Sequence, residues 1–172
     1  MNELDQMWSQ MLDEAKQAAR SSGRHDVADY LDLKSRNDAI RTASVRWLFE
    51  SLLEIAGEAN RRLPAISIDR DDPHNFAHRG ANMAGSRLVL RHGVRCLTVE
   101  AGWTRTPADG FMRGGALAAA KITHFGMAKM NAELLLKVVG EIPAWSAVYE
   151  DSPAISVDSA FLHRHFALFL GE

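Results

Sequence analysis

The chain opens on a helical period. Leu4, Met7, Trp8, Met11, Leu12, Ala15 and Ala19 recur at steps of three and four, with Asp5, Gln10, Asp13, Glu14 and Lys16 between them. That spacing predicts an amphipathic helix with one apolar stripe, ended by Ser21-Ser22-Gly23. Arg24 to Leu33 predicts a short second helix burying Val27, Tyr30 and Leu31. Ser35, with Asp38 three residues on, is placed to cap a third helix that runs to about Asn60. One stripe of this helix passes through Ile40, Ser44, Trp47, Leu48, Ser51, Leu52 and Ile55, and a second through Val45, Phe49, Leu53 and Ala56. A helix with two stripes is expected to be buried on more than one side and to act as the spine on which a sheet packs.

Beyond this point the period shortens. Pro64 is expected to start a strand over Ala65 to Asp69. In DDPHNFAHRG, Asp72 supplies a cap, Pro73 a first helical position and Gly80 a terminator, which predicts a two-turn helix. The stretch Gly85 to Gly102, GSRLVLRHGVRCLTVEAG, carries two runs rich in Leu and Val around His92-Gly93. Gly adopts the positive φ of a tight turn, so a hairpin is expected there. A long loop, Trp103 to Gly115, follows, with the turn sequence Pro107-Ala108-Asp109-Gly110 inside it. Further strands are expected over Ala116–Phe125, Asn131–Val139 and Ala144–Tyr149, with a short edge at Ala154–Val157. Asp158 or Ser159 caps a last helix whose Phe161, Leu162, His165, Phe166, Phe169 and Leu170 face inward, and Gly171 stops it.

Terminal helices around a run of strands, without βαβ alternation, predict an α+β fold. The N-terminal helices and the C-terminal helix would cover one face of a mainly antiparallel sheet of about five to six strands. The other face would be wet or would meet a partner. At 172 residues the chain is expected to form a single domain over 1–172, helical over 1–60, mainly strands over 64–157, with the C-terminal helix over 158–170.

Charge changes this picture in one place. The net charge is only −2, yet residues 61–113 carry 9 Arg and no Lys against 5 Asp and Glu, while the segments on either side are acidic. The surplus falls on the central hairpin and its flanking loops. One cysteine, Cys96, excludes an internal disulfide and a Cys-based metal cage. The N-terminus lacks a basic region followed by an apolar run, and no apolar stretch reaches the length of a membrane span, so a cytoplasmic protein is expected.

Two clusters offer chemistry. Arg79, Arg87, Arg91, Arg95, Arg105 and Arg113 form the first. On a strand, Arg87, Val89 and Arg91 share a face, Arg95 joins them if the register allows, and guanidinium forks suit phosphate and carboxylate. Trp103 and Phe111 in the neighbouring loop offer stacking surfaces. The second is the acid-histidine segment Asp69, Asp71, Asp72, His74 and His78. On a helix, His74 and His78 at i and i+4 would share a divalent metal with Asp71, and Glu100 would assist as an acid or base. The spacing lacks the Glu of the H-E-x-x-H pattern, and no G-x-S-x-G elbow or phosphate loop occurs. Cys96 reads as a small core residue, and His165 as a core histidine with a partner. His124, late in its strand, reads as solvated.

The leading expectation is therefore a non-enzymatic binding or adaptor protein. Arg87, Arg91, Arg95, Trp103, Arg105 and Arg113 would meet an anionic small molecule or protein partner, with nucleic acid the weaker ligand at this net charge. The alternative is a small metal-dependent or acid-base enzyme using Asp71, His74, His78 and Glu100. A third reading is a homo-oligomer that buries the open sheet face.

Overall fold

A computed structural model describes residues 3–63 and 65–172. Its elements run α1 (Glu3–Ser21), α2 (His25–Arg62), β1 (Ser67–His78), β2 (Ala81–His92), β3 (Arg95–Trp103), β4 (Ala118–His124), β5 (Ala132–Val139), β6 (Ile142–Tyr149), β7 (Ser152–Ser156) and α3 (Ser159–Leu170). The seven strands form one antiparallel meander in chain order, β1 to β7. The α+β class and the antiparallel sheet follow the hydrophobic pattern, with seven strands in place of five to six. The strand expected to begin at Pro64 begins at Ser67; Pro64 itself lies outside the described residues.

The residues fall into two compact units, one ending at Ile40 and one beginning at Arg41. In the first, α1 turns at Gly23, where φ is +75°, into the start of α2. Ala19 and Ala28 are buried, and Asp32 accepts from Lys16 at 3.0 Å and from Arg20 at 2.7 Å. These partners hold the Asp32 carboxyl below its ordinary range. The expected break between Leu33 and Ser35 does not occur: α2 runs unbroken for 38 residues. No Pro interrupts it, its one Gly lies far along at Gly57, and Ser35 sits half-buried within a turn instead of capping one. Tyr30, expected inside, is 64% exposed.

In the second unit, the stretch of α2 after Arg41 and the whole of α3 cover the same sheet face. Leu48, Phe49 and Leu52 of α2 are fully buried, as are Leu88, Leu90, Leu97, Leu134 and Leu136 of the strands. Each such side chain contributes about 1.5–3 kcal/mol by leaving water. Trp145 donates its indole N–H to the Ser44 carbonyl at 3.1 Å, and Arg41 Nε donates to the Leu117 carbonyl at 2.7 Å, pinning α2 across β4–β6. The turn out of α2 is held by Asn60, whose side chain donates to the Ile66 carbonyl and accepts from the amides of Ala65 and Ile66. Asp158 caps α3 by accepting from the Phe161 amide at 2.8 Å, and Gly171 ends it at φ +86°.

The segment expected as a two-turn helix, residues 72–80, is the second half of strand β1. Its pairing with β2 wins because Phe76 and His78 then face Met83 and Ala81 in register. The register slips between Asp71 and His74, so Pro73, which has no amide to donate, sits in the irregularity of an edge strand. Gly85 and Gly102 lie opposite each other on β2 and β3 at the same level. A Cβ on Gly85 would overlap the Ala101 carbonyl oxygen, and one on Gly102 would fall 2.6 Å from the Ala84 carbonyl oxygen. Only glycine permits this approach, which lies beside the register irregularity of β1, and the hairpin beyond it bends onto the opposite face. Beyond the bend, the tip of the β1–β2 hairpin curls over the face opposite the helices. There Phe76, Ala81 and Met83 pack against Ala116, Ala119 and Leu135 as a second, smaller core.

Candidate functional site

A cleft of about 250 Å³ lies between α2 and the sheet. Arg46 enters it from α2, Arg70 and Asp72 from β1, and Trp103 and Arg105 from the end of β3. Trp103 is 8% exposed, because its position alternates with Ala101 onto the helix-covered face. Arg105 lies flat on it, with the guanidinium carbon 3.8 Å from the ring centroid, and donates to the Ala84 carbonyl at 2.9 Å. Arg70 lies 5.5 Å from the Phe49 ring centroid and 3.8 Å from the Asp72 carboxylate. Three guanidinium groups thus line the cleft against one carboxylate. Arginine forks of this kind suit a phosphate or carboxylate.

The loop beyond Trp103 is a fixed turn. Asp109 accepts from the amides of Arg105 at 3.1 Å and Thr106 at 2.9 Å, and from the Thr106 hydroxyl. These donors hold its carboxyl below the ordinary range. Phe111, by contrast, is 88% exposed and outside the cleft.

The other arginines are placed elsewhere. On the sheet face opposite the helices, register sets Asp71, Arg87, Glu100, Lys121 and Glu133 side by side across five strands, alternating in sign. Arg87 Nε donates to Asp71 at 2.8 Å, Arg91 pairs with Asp69, and Lys121 reaches Glu100 at 3.3 Å. Arg87 and Arg91 do share a face, as expected, but each is matched by its own aspartate. Arg95 does not join them: it points to the opposite face and reaches the Leu168 carbonyl at the end of α3. Arg113 reaches Glu133 at 3.3 Å.

The curled hairpin tip locks onto this ladder. His74 Nε2 lies 2.8 Å from Glu100, and His78 Nε2 lies 3.0 Å from Glu133, which also takes two bonds from Arg79 Nε. Burial alone would push both glutamates up. The hydrogen bond from His74 together with Lys121 holds the Glu100 carboxyl below the usual range, and Arg79 with His78 does the same for Glu133. The structure thus brings His74 to Glu100, but it strings His74 and His78 about 13 Å apart along a strand. Asp71 belongs to Arg87. The donor set Asp71, His74 and His78 therefore does not fit one divalent ion, and among the described residues no three His, Cys, Asp or Glu side chains gather for one.

Sequence reasoning missed two features. Arg46 and Arg70 sit in segments read only as helix and strand, and only the folded arrangement brings them to Arg105. His124, expected to be solvated, is 2% exposed, and its Nε2 lies 2.9 Å from Nδ1 of His165 on α3. His124 Nδ1 is buried without a hydrogen-bond partner. A lone pair left unmatched costs less than an orphaned N–H, which assigns the shared proton to His124 Nε2. Burial pushes both imidazoles down, His165 to about 4 with help from His124 and Arg164.

Among the described residues no helix is long and apolar enough to cross a membrane. No protein-family model, curated protein or solved structure matches this chain.

Proposed function

We propose that the protein is a non-enzymatic binding protein whose Arg46–Arg70–Trp103–Arg105 cleft takes a small anion: a phosphate or carboxylate group on a compact ligand. The observation that supports this reading is the three-to-one excess of guanidinium over carboxylate in a cleft of about 250 Å³. Elsewhere in the central segment Arg79, Arg87, Arg91 and Arg113 pair with carboxylates of the sheet. Trp103 and Arg105 carry over from the set expected of the sequence. Arg87, Arg91 and Arg113 serve the ladder, and Arg95 serves the end of α3. Thermal-shift measurement with pyrophosphate and with citrate tests the reading. The melting temperature of the natural chain rises with one of them, and the rise is lost in Arg46→Gln/Arg70→Gln but kept in Arg87→Gln/Arg91→Gln. No rise with either, or a rise that survives in Arg46→Gln/Arg70→Gln, overturns it.

A second reading, acid-base catalysis, draws on the 2.8 Å His74–Glu100 contact beside Lys121. Both Glu100 oxygens are engaged, one by each neighbour, and the hairpin tip covers the pair. A latch between two layers accounts for the same contact without any reaction. Hydrolase and isomerase panels that respond to Glu100→Gln would favour catalysis instead.

A further inference from the structure

We propose that Ser86 is the floor contact of the cleft and that the group it selects is a phosphoryl group, a tetrahedral oxyanion, in preference to a carboxylate. The inference rests on the reading of the cleft as an anion site and adds to it a residue and a ligand class. Ser86 lines the cleft and is only 7% exposed. It stands on the helix-covered face of β2, in the same row as Leu88 and Leu90, both of which are fully buried. Every neighbour in that row is apolar core. Among the described residues the Ser86 hydroxyl has no hydrogen-bond partner. A hydroxyl kept in a core row without a partner is costly, and such groups ordinarily find one.

Local geometry leaves room above this hydroxyl. The register of β1 on β2 jumps from Asp71–Arg87 to His74–Gly85, so Ser86 falls in the slip and has no register partner on β1. On its other side the partner is Ala101, with a single methyl, and the preceding residue is Gly85. The floor of the cleft is therefore sunk at Ser86, between higher walls of Arg70 on one side and Trp103 with Arg105 on the other.

The direction of the donors selects the ligand. Arg46 comes from α2 above the sheet, Arg70 from β1 at the side, and Ser86 from β2 beneath. Three donors on three elements do not share a plane. A carboxylate accepts close to the plane of its two oxygens, whereas the oxygens of a phosphoryl group point in separate directions and can meet all three. Asp72, the one carboxylate of the cleft, is largely exposed and stands 3.8 Å from Arg70.

Calorimetric titration of pyrophosphate and of citrate, which carry similar charge near neutral pH, into the full chain and into Ser86→Ala tests this. The natural chain should bind pyrophosphate at least tenfold more tightly than citrate. Ser86→Ala should weaken pyrophosphate about tenfold and citrate no more than about twofold, since only the phosphoryl oxygens reach the floor. Without ligand, Ser86→Ala should melt no lower than the natural chain, because it removes a buried hydroxyl that bonds nothing. A lower melting temperature would reveal a structural partner and overturn the inference. Equal pyrophosphate affinity in the two proteins, or citrate bound as tightly as pyrophosphate, would overturn it while leaving the anion site in place. Saturable binding of neither anion by the natural chain would remove the anion site and this inference together.

Discussion

The buried pair His124–His165 makes the protein acid-labile in a calculable way. His165 sits against Phe161, with ring centroids 4.7 Å apart, and burial, then His124 and Arg164, disfavour a positive charge on it. In the folded chain its imidazole protonates near 4, against an ordinary value of 6.5. As pH falls below 6.5 the unfolded chain takes up a proton that the folded chain refuses, so stability declines. The decline continues until the folded chain also accepts the proton near pH 4. Above about pH 7 this contribution is fully present. The gap corresponds to about 3 kcal/mol lost between pH 7 and 4, a slope near 1.4 kcal/mol per pH step. His124 is also pushed down, so it adds in the same direction.

The perturbation is the double replacement His124→Leu/His165→Leu, which removes both polar partners together and leaves no orphaned nitrogen. Urea unfolding of both proteins at half-unit steps from pH 7.5 to 4.5 isolates the effect, since carboxylate titrations are common to the two. The difference in stability between natural and double-replaced chains should fall by at least 2 kcal/mol from pH 7.5 to 4.5. Carbon-13 shifts of the His165 ring should show a midpoint near 4. Superimposable pH profiles, or a midpoint near 6.5, would refute the reasoning.

Two further predictions test the bend and the latch. Gly85→Ala forces backbone apart and should cost more than about 3 kcal/mol, whereas Gly57→Ala, which meets nothing within 4 Å inside α2, should stabilise by about 0.5–1 kcal/mol. Chemical denaturation reads both, and equal effects would remove the close-approach argument. Glu133→Gln takes the negative charge from His78, Arg79 and Arg113, so hydrogen exchange at residues 74–83 should accelerate at least tenfold with little change in α3. Unchanged exchange at the hairpin tip would mean that the apolar contacts of Phe76 and Met83 suffice to hold it.

Much of the architecture was legible because local period and tertiary burial agree. Leu134 and Leu136 alternate with Leu135 across the sheet, Trp145 and Ala147 point one way, and α3 carries its own cap and stop. Segments failed where local chemistry and pairing disagreed. Asp72-Pro73 reads as a helix start, but the β2 register of Phe76 and His78 decides the outcome. Ser35 reads as a cap, but no breaker precedes it in α2. Site residues failed for a different reason. Arg46, Arg70 and Arg105 come from α2, β1 and the loop after β3, and only the folded arrangement brings them to one cleft. His124 and His165 lie 41 residues apart, on a strand and a helix that the sequence does not visibly pair. Arginine count alone gave no warning that Arg87 and Arg91 would each face an aspartate.

The most direct test of the binding reading is a calorimetric titration of pyrophosphate into the full chain at low salt. The predicted result is saturable binding at one site per chain, weakened at least tenfold by Arg46→Gln/Arg70→Gln and by added salt, and unchanged by Arg87→Gln/Arg91→Gln. No saturable heat in the natural protein, or equal affinity in Arg46→Gln/Arg70→Gln, would contradict an anion site in the cleft.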